Sequence, residues 1–320
     1  MGKRKKYSKN WAGYNFAQKV ELPLFLDLVR ILVRNFEVKD RWKGNGRPPI
    51  ETKDAIKILL LWHYFNCSAR KVVSRVEALK DKVGLDKVPH FNVLYSFLKD
   101  EYLQECCLTI LEQMFKAVNP SDTCVATDST GKSISVKKFW NDWKGKERQS
   151  KDFVKMHSTF GTKTSMMATV TVTKSKGKGT GDSTQLIAHA QRLKRNGIDV
   201  DEWSADGAYC TRNCATAIKN TGATPFIRIR KNTTAKKKGS AAYRNMVLRS
   251  REHQIIYKRY YHKRSKSESG FFSHQCRFSN KIRSRSFEAQ RGELLASCAV
   301  FNALHFANAV FEFGITPSYF

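Results

Sequence analysis

Leu22, Phe25, Leu26, Val29, Leu32, Val33 and Phe36 stand at helical spacing and form one apolar stripe, which predicts an amphipathic helix over residues 22–36. A glycine- and proline-rich break, GNGRPPI, follows. KDAIKILLLWHYF predicts a second helix, and NCSARKVVSRVEAL a third with Ser68 as its N-cap. The turn between these two is short, and the later helix carries Arg70, Lys71 and Arg75. The pair reads either as a helix-turn-helix or as plain helix packing. A further helical stretch covers residues 91–118, and NPSD ends it.

From Thr123 the period changes. TCVATDS and SMMATVTVT are β-rich and bounded by turn residues. GTGDSTQLIAHAQRL predicts a glycine loop and then a helix. VDEWSADGAY predicts a strand ending in a turn. TRNCATAIKNTG predicts a helix stopped at Gly222, and TPFIRIR another strand. Strands alternating with helices indicate an α/β layer. KNTTAKKKGSAAYRN reads as a polar, basic loop. The most apolar long run, ASCAVFNALHFANAVFEF, is interrupted by Asn302, His305, Asn308 and Glu312, so a helix near residues 287–313 is expected in the core and not in a bilayer. No internal repeat is visible.

Length then sets the organisation. The 320 residues suggest two domains: a helical one over residues 1–118 and an α/β one over residues 119–320, with a basic insertion at about 231–256. Charge changes the picture more. Lys+Arg 58 against Asp+Glu 28 gives a net charge of +30, which implies a polyanionic partner. The charge is spread along the chain, which favours nucleic acid over a membrane patch. The basic start, MGKRKKYSKNW, leads into no apolar segment of a secretory signal. The eight cysteines are expected to be reduced thiols. Cys210 and Cys214 are four apart, with no second ligand pair at zinc spacing.

The acidic residues are therefore the informative minority. Asp128 and Asp206 each stand at the end of a short predicted strand, where α/β sheets gather functional groups. Each could equally be a turn or cap residue. Two carboxylates at 4 Å repel by roughly 4 kcal/mol at an effective dielectric of 20, and a divalent cation reverses that sign. Asp182 rivals them, but reads better as the cap of a helix starting near Thr184. Asp142 and Asp152 lie in a loop-like stretch. Between residues 231 and 291, 17 Lys+Arg face only Glu252, Glu268 and Glu288. If the segment around Glu268 is helical, then Tyr261, Arg264, Glu268 and Gln275 share one face. A carboxylate there could hold a metal while its neighbours grip phosphate, with Lys263 and Lys266 close by. The bland alternative is a solvated ion pair.

In this order, ATDST, Lys155-Met156-His157, ADGAY and Tyr261-x2-Arg264-x3-Glu268 resemble prokaryotic insertion-sequence transposases with a DDE core. That family's signature continues x6-Lys, whereas Gln275 stands here. NWAGYN and GRPPI…DAIKILLL also resemble its amino-terminal region. The resemblance implies a ribonuclease H-like mixed sheet flanked by helices, preceded by an all-α DNA-binding domain. It implies Asp128, Asp206 and Glu268 as catalytic metal ligands for two Mg²⁺ ions, with Mn²⁺ as substitute. Tyr261, Arg264, Gln275, Lys263, Lys266, Lys155 and His157 would bind DNA, although a lone histidine is more often structural. The implied partners are duplex DNA, as terminal inverted repeats and target, and a second copy of the chain in a homodimer. No membrane is implied, and the place is the nucleoid in a prokaryotic cytoplasm. A catalytically impaired, transposase-derived DNA-binding protein is the alternative that Gln275 favours. A basic RNA-binding or ribosome-associated protein is a third.

Overall fold

The computed structural model describes residues 10–39, 49–134, 153–231, 233–236 and 239–317. The basic start up to residue 9, most of the GNGRPPI break, Asp142 and Asp152 lie outside them.

The helical region begins with α1 (Trp11–Lys19), capped by Asn10, whose side chain accepts from the Gly13 amide at 3.0 Å. This helix buries only Ala17, so no apolar stripe marks it in the sequence. Helix α2 (Glu21–Asn35) buries Phe25, Leu26, Leu28, Val29, Leu32 and Val33 along the expected stripe. Helices α3 (Thr52–Phe65) and α4 (Ala69–Ala78) follow, and Ser68 accepts from the Lys71 amide at 3.4 Å. Arg70 and Arg75 of α4 lie over the rings of Phe91 and Phe65. A single turn, α5 (Lys80–Val83), leads on. The stretch expected as one helix is two, α6 (Phe91–Lys99) and α7 (Glu101–Val118). Asp100 divides them, because its carboxylate accepts from the amides of Tyr102 and Leu103.

Five strands form one mixed sheet in the order β3-β2-β1-β4-β5. They are β1 (Cys124–Ser133), β2 (Phe153–Gly161), β3 (Met167–Lys174), β4 (Glu202–Ala205) and β5 (Thr224–Ile227). The first three form an antiparallel meander, and β4 and β5 run parallel to β1. Helices α8 (Asp182–Arg195) and α9 (Arg212–Asn220) join the later strands. This is the ribonuclease H-like arrangement. Strand β2 has no separate sequence signal, because Met156 to Gly161 are buried on both faces and show no alternation.

The basic segment departs from its expected loop. Ser240 caps α10 (Ala241–Glu252), and α11 (Gln254–Tyr261), a 3₁₀ turn over His262–Arg264 and α12 (Ser265–Phe278) follow. Cap and helix formers lie just beyond the Lys/Gly run that suggested a loop.

Helix α13 (Phe287–Phe311) packs on α3, α6 and α7 and also on β3. It is long and apolar enough to cross a membrane, but 72% of its most apolar window is buried inside the protein. Asn302 is satisfied there. Its Oδ1 accepts from the Met167 amide at 2.7 Å, and its Nδ2 donates to the carbonyls of Leu111 and Met167. The end of α13 also receives α1: the rings of Phe16 and Phe311 lie 5.0 Å apart, and a Cβ on Gly13 would meet the Phe311 carbonyl oxygen at 2.1 Å.

Candidate active site

Strands β1 and β4 pair from Cys124 and Glu202 up to Thr127 and Ala205. The next residues on these adjacent parallel strands are Asp128 and Asp206. Equivalent positions on neighbouring strands point to the same face, with backbones about 4.8 Å apart. Strand β1 does not end at Asp128, as the sequence suggested, but runs on to Ser133 beside β2. The sheet itself narrows here, because β4 stops at Ala205. A buried network holds this register on the opposite side. Trp203 Nε1 donates to Thr127 Oγ1 at 2.8 Å, and Thr127, Thr159, His189 and Thr171 continue the chain at 2.7 to 3.1 Å.

Glu268 arrives from α12. Arg264 joins it to the sheet: Nη1 donates to Asp128 Oδ2 at 3.0 Å and Nη2 to Glu268 Oε1 at 2.5 Å. Burial pushes the Asp128 carboxyl above its ordinary range. The Ser129 amide and Arg264 oppose this, while the carboxylates of Asp206 and Glu268 add to it. Each of the other two acids thus acts on Asp128. The carboxylate of Asp206 has neither a hydrogen-bond donor nor a cation partner among the described residues. A guanidinium lies between two carboxylates, where positive charge is favoured. The three hard oxygen donors suit a divalent ion such as Mg²⁺. As the side chains now stand, no group of three His, Cys, Asp or Glu among the described residues encloses a metal position.

The serines and glycine of α12 are poor helix formers, yet each has a local reason. Ser265, Ser267 and Ser269 donate to the carbonyls of His262, Arg264 and Ser265. Gly270 lets the helix touch β2: a Cβ there would meet Phe160 Cε1 at 2.6 Å. The 3₁₀ turn over His262–Arg264 keeps the expected face. Its three residues per turn eclipse Tyr261 with Arg264, on the side that Glu268 and Gln275 share. Tyr261 is half-buried, whereas Lys266, Glu268 and Gln275 are exposed.

Other expected DNA contacts are placed differently. Lys263 turns to Glu202 and lies 3.4 Å from Cys124 Sγ, at the far end of the β1–β4 pair. His157 is fully buried, so its ring cannot touch DNA directly. Its Nε2 meets Thr173 Oγ1 at 3.0 Å. Its Nδ1 stands 3.2 Å from Asp182 Oδ1. Lys155 donates to the same oxygen at 2.7 Å. Asp182 is therefore not a cap: it opens α8 without a capping bond and faces Lys155 and the His157 ring across the sheet. His157, and after it Lys155 and Ser129, hold its carboxyl well below the usual range against the effect of burial.

Two further side chains escaped sequence reasoning. Tyr209 is buried, its hydroxyl has no hydrogen-bond partner of good geometry among the described residues, and burial and then the carboxylates of Asp182 and Asp128 raise its pKa against the nearby Ser129 hydroxyl. It is the tyrosine of ADGAY, so only its burial was unreadable. Phe272 is 68% exposed, one helical turn beyond Glu268. Its i+4 spacing from a candidate acid was the available signal.

A family model described as Transposase DDE domain matches residues 119–303, a span that includes Asp128, Asp206 and Glu268. No curated protein and no solved structure matches the chain.

Proposed function

Because the chain belongs to the Transposase DDE domain family, we propose that it cuts DNA at the ends of an insertion sequence and joins the freed 3′-hydroxyls to target DNA. One observation carries this reading: Asp128 and Asp206 follow the last paired residues of β1 and β4 side by side, and Arg264 ties Glu268 to the first of them.

Asp128, Asp206 and Glu268 would hold two Mg²⁺ ions, with Mn²⁺ as substitute. Such ions, when bound, supply an activated oxygen nucleophile and steady the leaving oxygen of phosphoryl transfer. Arg264 is the resident counter-charge of Asp128 and Glu268, and it is released to a DNA phosphate as their negative charge is met otherwise. Tyr261 lies beside it to position the terminal nucleotides. Gln275 lies on the Glu268 side along which the strand passes, Lys266 flanks it from the opposite edge of the exposed surface, and Phe272 offers a base a flat surface between them. Lys155 and His157 act from behind, through Asp182, by fixing the back of the strand that carries Asp128. The remaining basic residues give salt-dependent affinity for duplex DNA. The helices over residues 1–118 bind the terminal repeats, and two copies hold the two ends.

The decisive experiment is Asp206→Asn. It should keep its affinity for terminal inverted repeats and lose Mg²⁺-dependent cleavage by roughly 10³-fold or more. Normal cleavage by this variant removes Asp206 from the site. Gln275, uncharged where the signature has lysine, favours a second reading as a DNA-binding protein without catalysis. Saturated binding with no product in Mg²⁺ or Mn²⁺ is its expected result.

A further inference from the structure

Where α12 ends, a cleft of about 720 Å³ opens between the helical region and the segment leading into α13. Trp62 and Tyr95 line one side, with ring centroids 5.7 Å apart and planes at 81°. Arg283 lines another and is held in place. Its guanidinium donates to Cys67 O, Asn66 O and Asn66 Oδ1 at 3.1 to 3.2 Å. Lys99 and Arg285 are exposed lining residues, and neither forms an ion pair among the described residues. Glu293 is the acid of the lining. Its carboxylate is taken by the backbone amides of Arg283 and Ser284 at 2.9 to 3.2 Å. The cleft therefore joins aromatic surface, mostly that of Tyr95 because Trp62 is only 9% exposed, to a surplus of positive charge: Lys99, Arg283 and Arg285 against Glu293, with Glu288 near Lys99.

A phosphate alone needs no aromatic wall, and a hydrocarbon needs no cations. The combination suits a nucleotide, and the volume lies within the usual range for small-ligand sites. Bases in a duplex are stacked on each other, so only an unpaired nucleotide could enter. The cleft also connects to the site above. Asn66 Nδ2 donates to the Arg277 carbonyl in the last turn of α12 at 3.1 Å. From Glu268 to the end of that helix is about 15 Å, or four to five nucleotides of one strand.

We propose that this cleft binds one unpaired nucleotide of the DNA strand, with its base against Tyr95 and Trp62 and its phosphate at Arg285 and Lys99. The proposal rests on DNA being the partner, as read above. It does not depend on cleavage.

The test is metal-free binding, read by fluorescence anisotropy. The probes are single-stranded oligothymidylate of about 15 nucleotides and the blunt duplex of the same length. Tyr95→Ala should weaken the single strand about tenfold and the duplex less than about twofold, and Tyr95→Phe should match the unaltered protein. Arg285→Ala should weaken the single strand about threefold and flatten its salt dependence by nearly one charge. Both side chains are exposed, so neither change threatens the fold. Equal losses on the two probes, or no loss on either, overturn the proposal. No cleavage is read, so this failure leaves the triad standing, and an active Asp206→Asn enzyme would leave the strand preference standing.

Discussion

Arg192 and Arg264 each bind two carboxylates through one guanidinium, and one of each pair, Glu105 or Glu268, is about half exposed; the sites differ in the other partner, Glu112 or Asp128. Arg192 holds Glu112 and Glu105, both at 2.5 Å. Glu112 is 3% exposed and also accepts from Thr169 Oγ1 and Asn196 Nδ2. That cluster fastens α7 to α8 and β3 with its acceptors filled. Around Arg264, the Glu268 side chain is 58% exposed and Asp206 stands near without a cation partner among the described residues. The same fork thus makes a rivet in one place and a replaceable counter-ion in the other. Burial and leftover acceptors decide which, since a buried pair broken on one side leaves a charge with nowhere to go.

That contrast can be broken by substitution. Arg192→Ala should have the largest effect, because it strands Glu112 in the interior. A loss of about 3–5 kcal/mol is expected in urea unfolding, and a loss under about 1 kcal/mol would erase the distinction. Gly270→Ala comes next. Its Cβ has no room against Phe160, which is itself fully buried. Overpacking of about 1–3 kcal/mol should appear together with weaker cleavage, as α12 is pushed off the sheet. Unchanged stability would mean that the helix stands looser than described.

Arg264→Ala should cost less than about 1 kcal/mol of stability, since its partners are partly solvated. Calorimetry on the DNA-free protein should instead show Mn²⁺ binding about tenfold tighter, a difference of about 1.4 kcal/mol. An unchanged affinity would show that the guanidinium does not compete for the ion position. Gln275→Lys should be the mildest. Folding should not respond, while the salt dependence of duplex binding should steepen by about one charge. An identical slope places residue 275 away from the phosphates.

The sequence made regular features readable and left contextual ones hidden. The stripe of α2, the Ser68 cap and the apolar run of α13 depend on local spacing, and all appear as expected. Strand β2 was hidden because a central strand buried on both faces has no alternation to detect. The break at Asp100 was hidden because the apolar pattern continues across it. At the candidate site, the end of β4 before Asp206 and the spacing from Arg264 to Glu268 were visible, whereas the continuation of β1 past Asp128 was not. The placement of Asp182 was not, since a carboxylate before a helix looks like a cap unless the strand behind it is known to bring a lysine and a histidine.

Helix α1 leans on the far end of α13, and the helical bundle closes around that final segment. A ribosome must therefore deliver residue 311 before residue 16 can find its aromatic neighbour. Until α13 has been synthesised, the nascent chain carries open apolar faces on the helices that precede it, and assembly of this half waits for that helix to emerge.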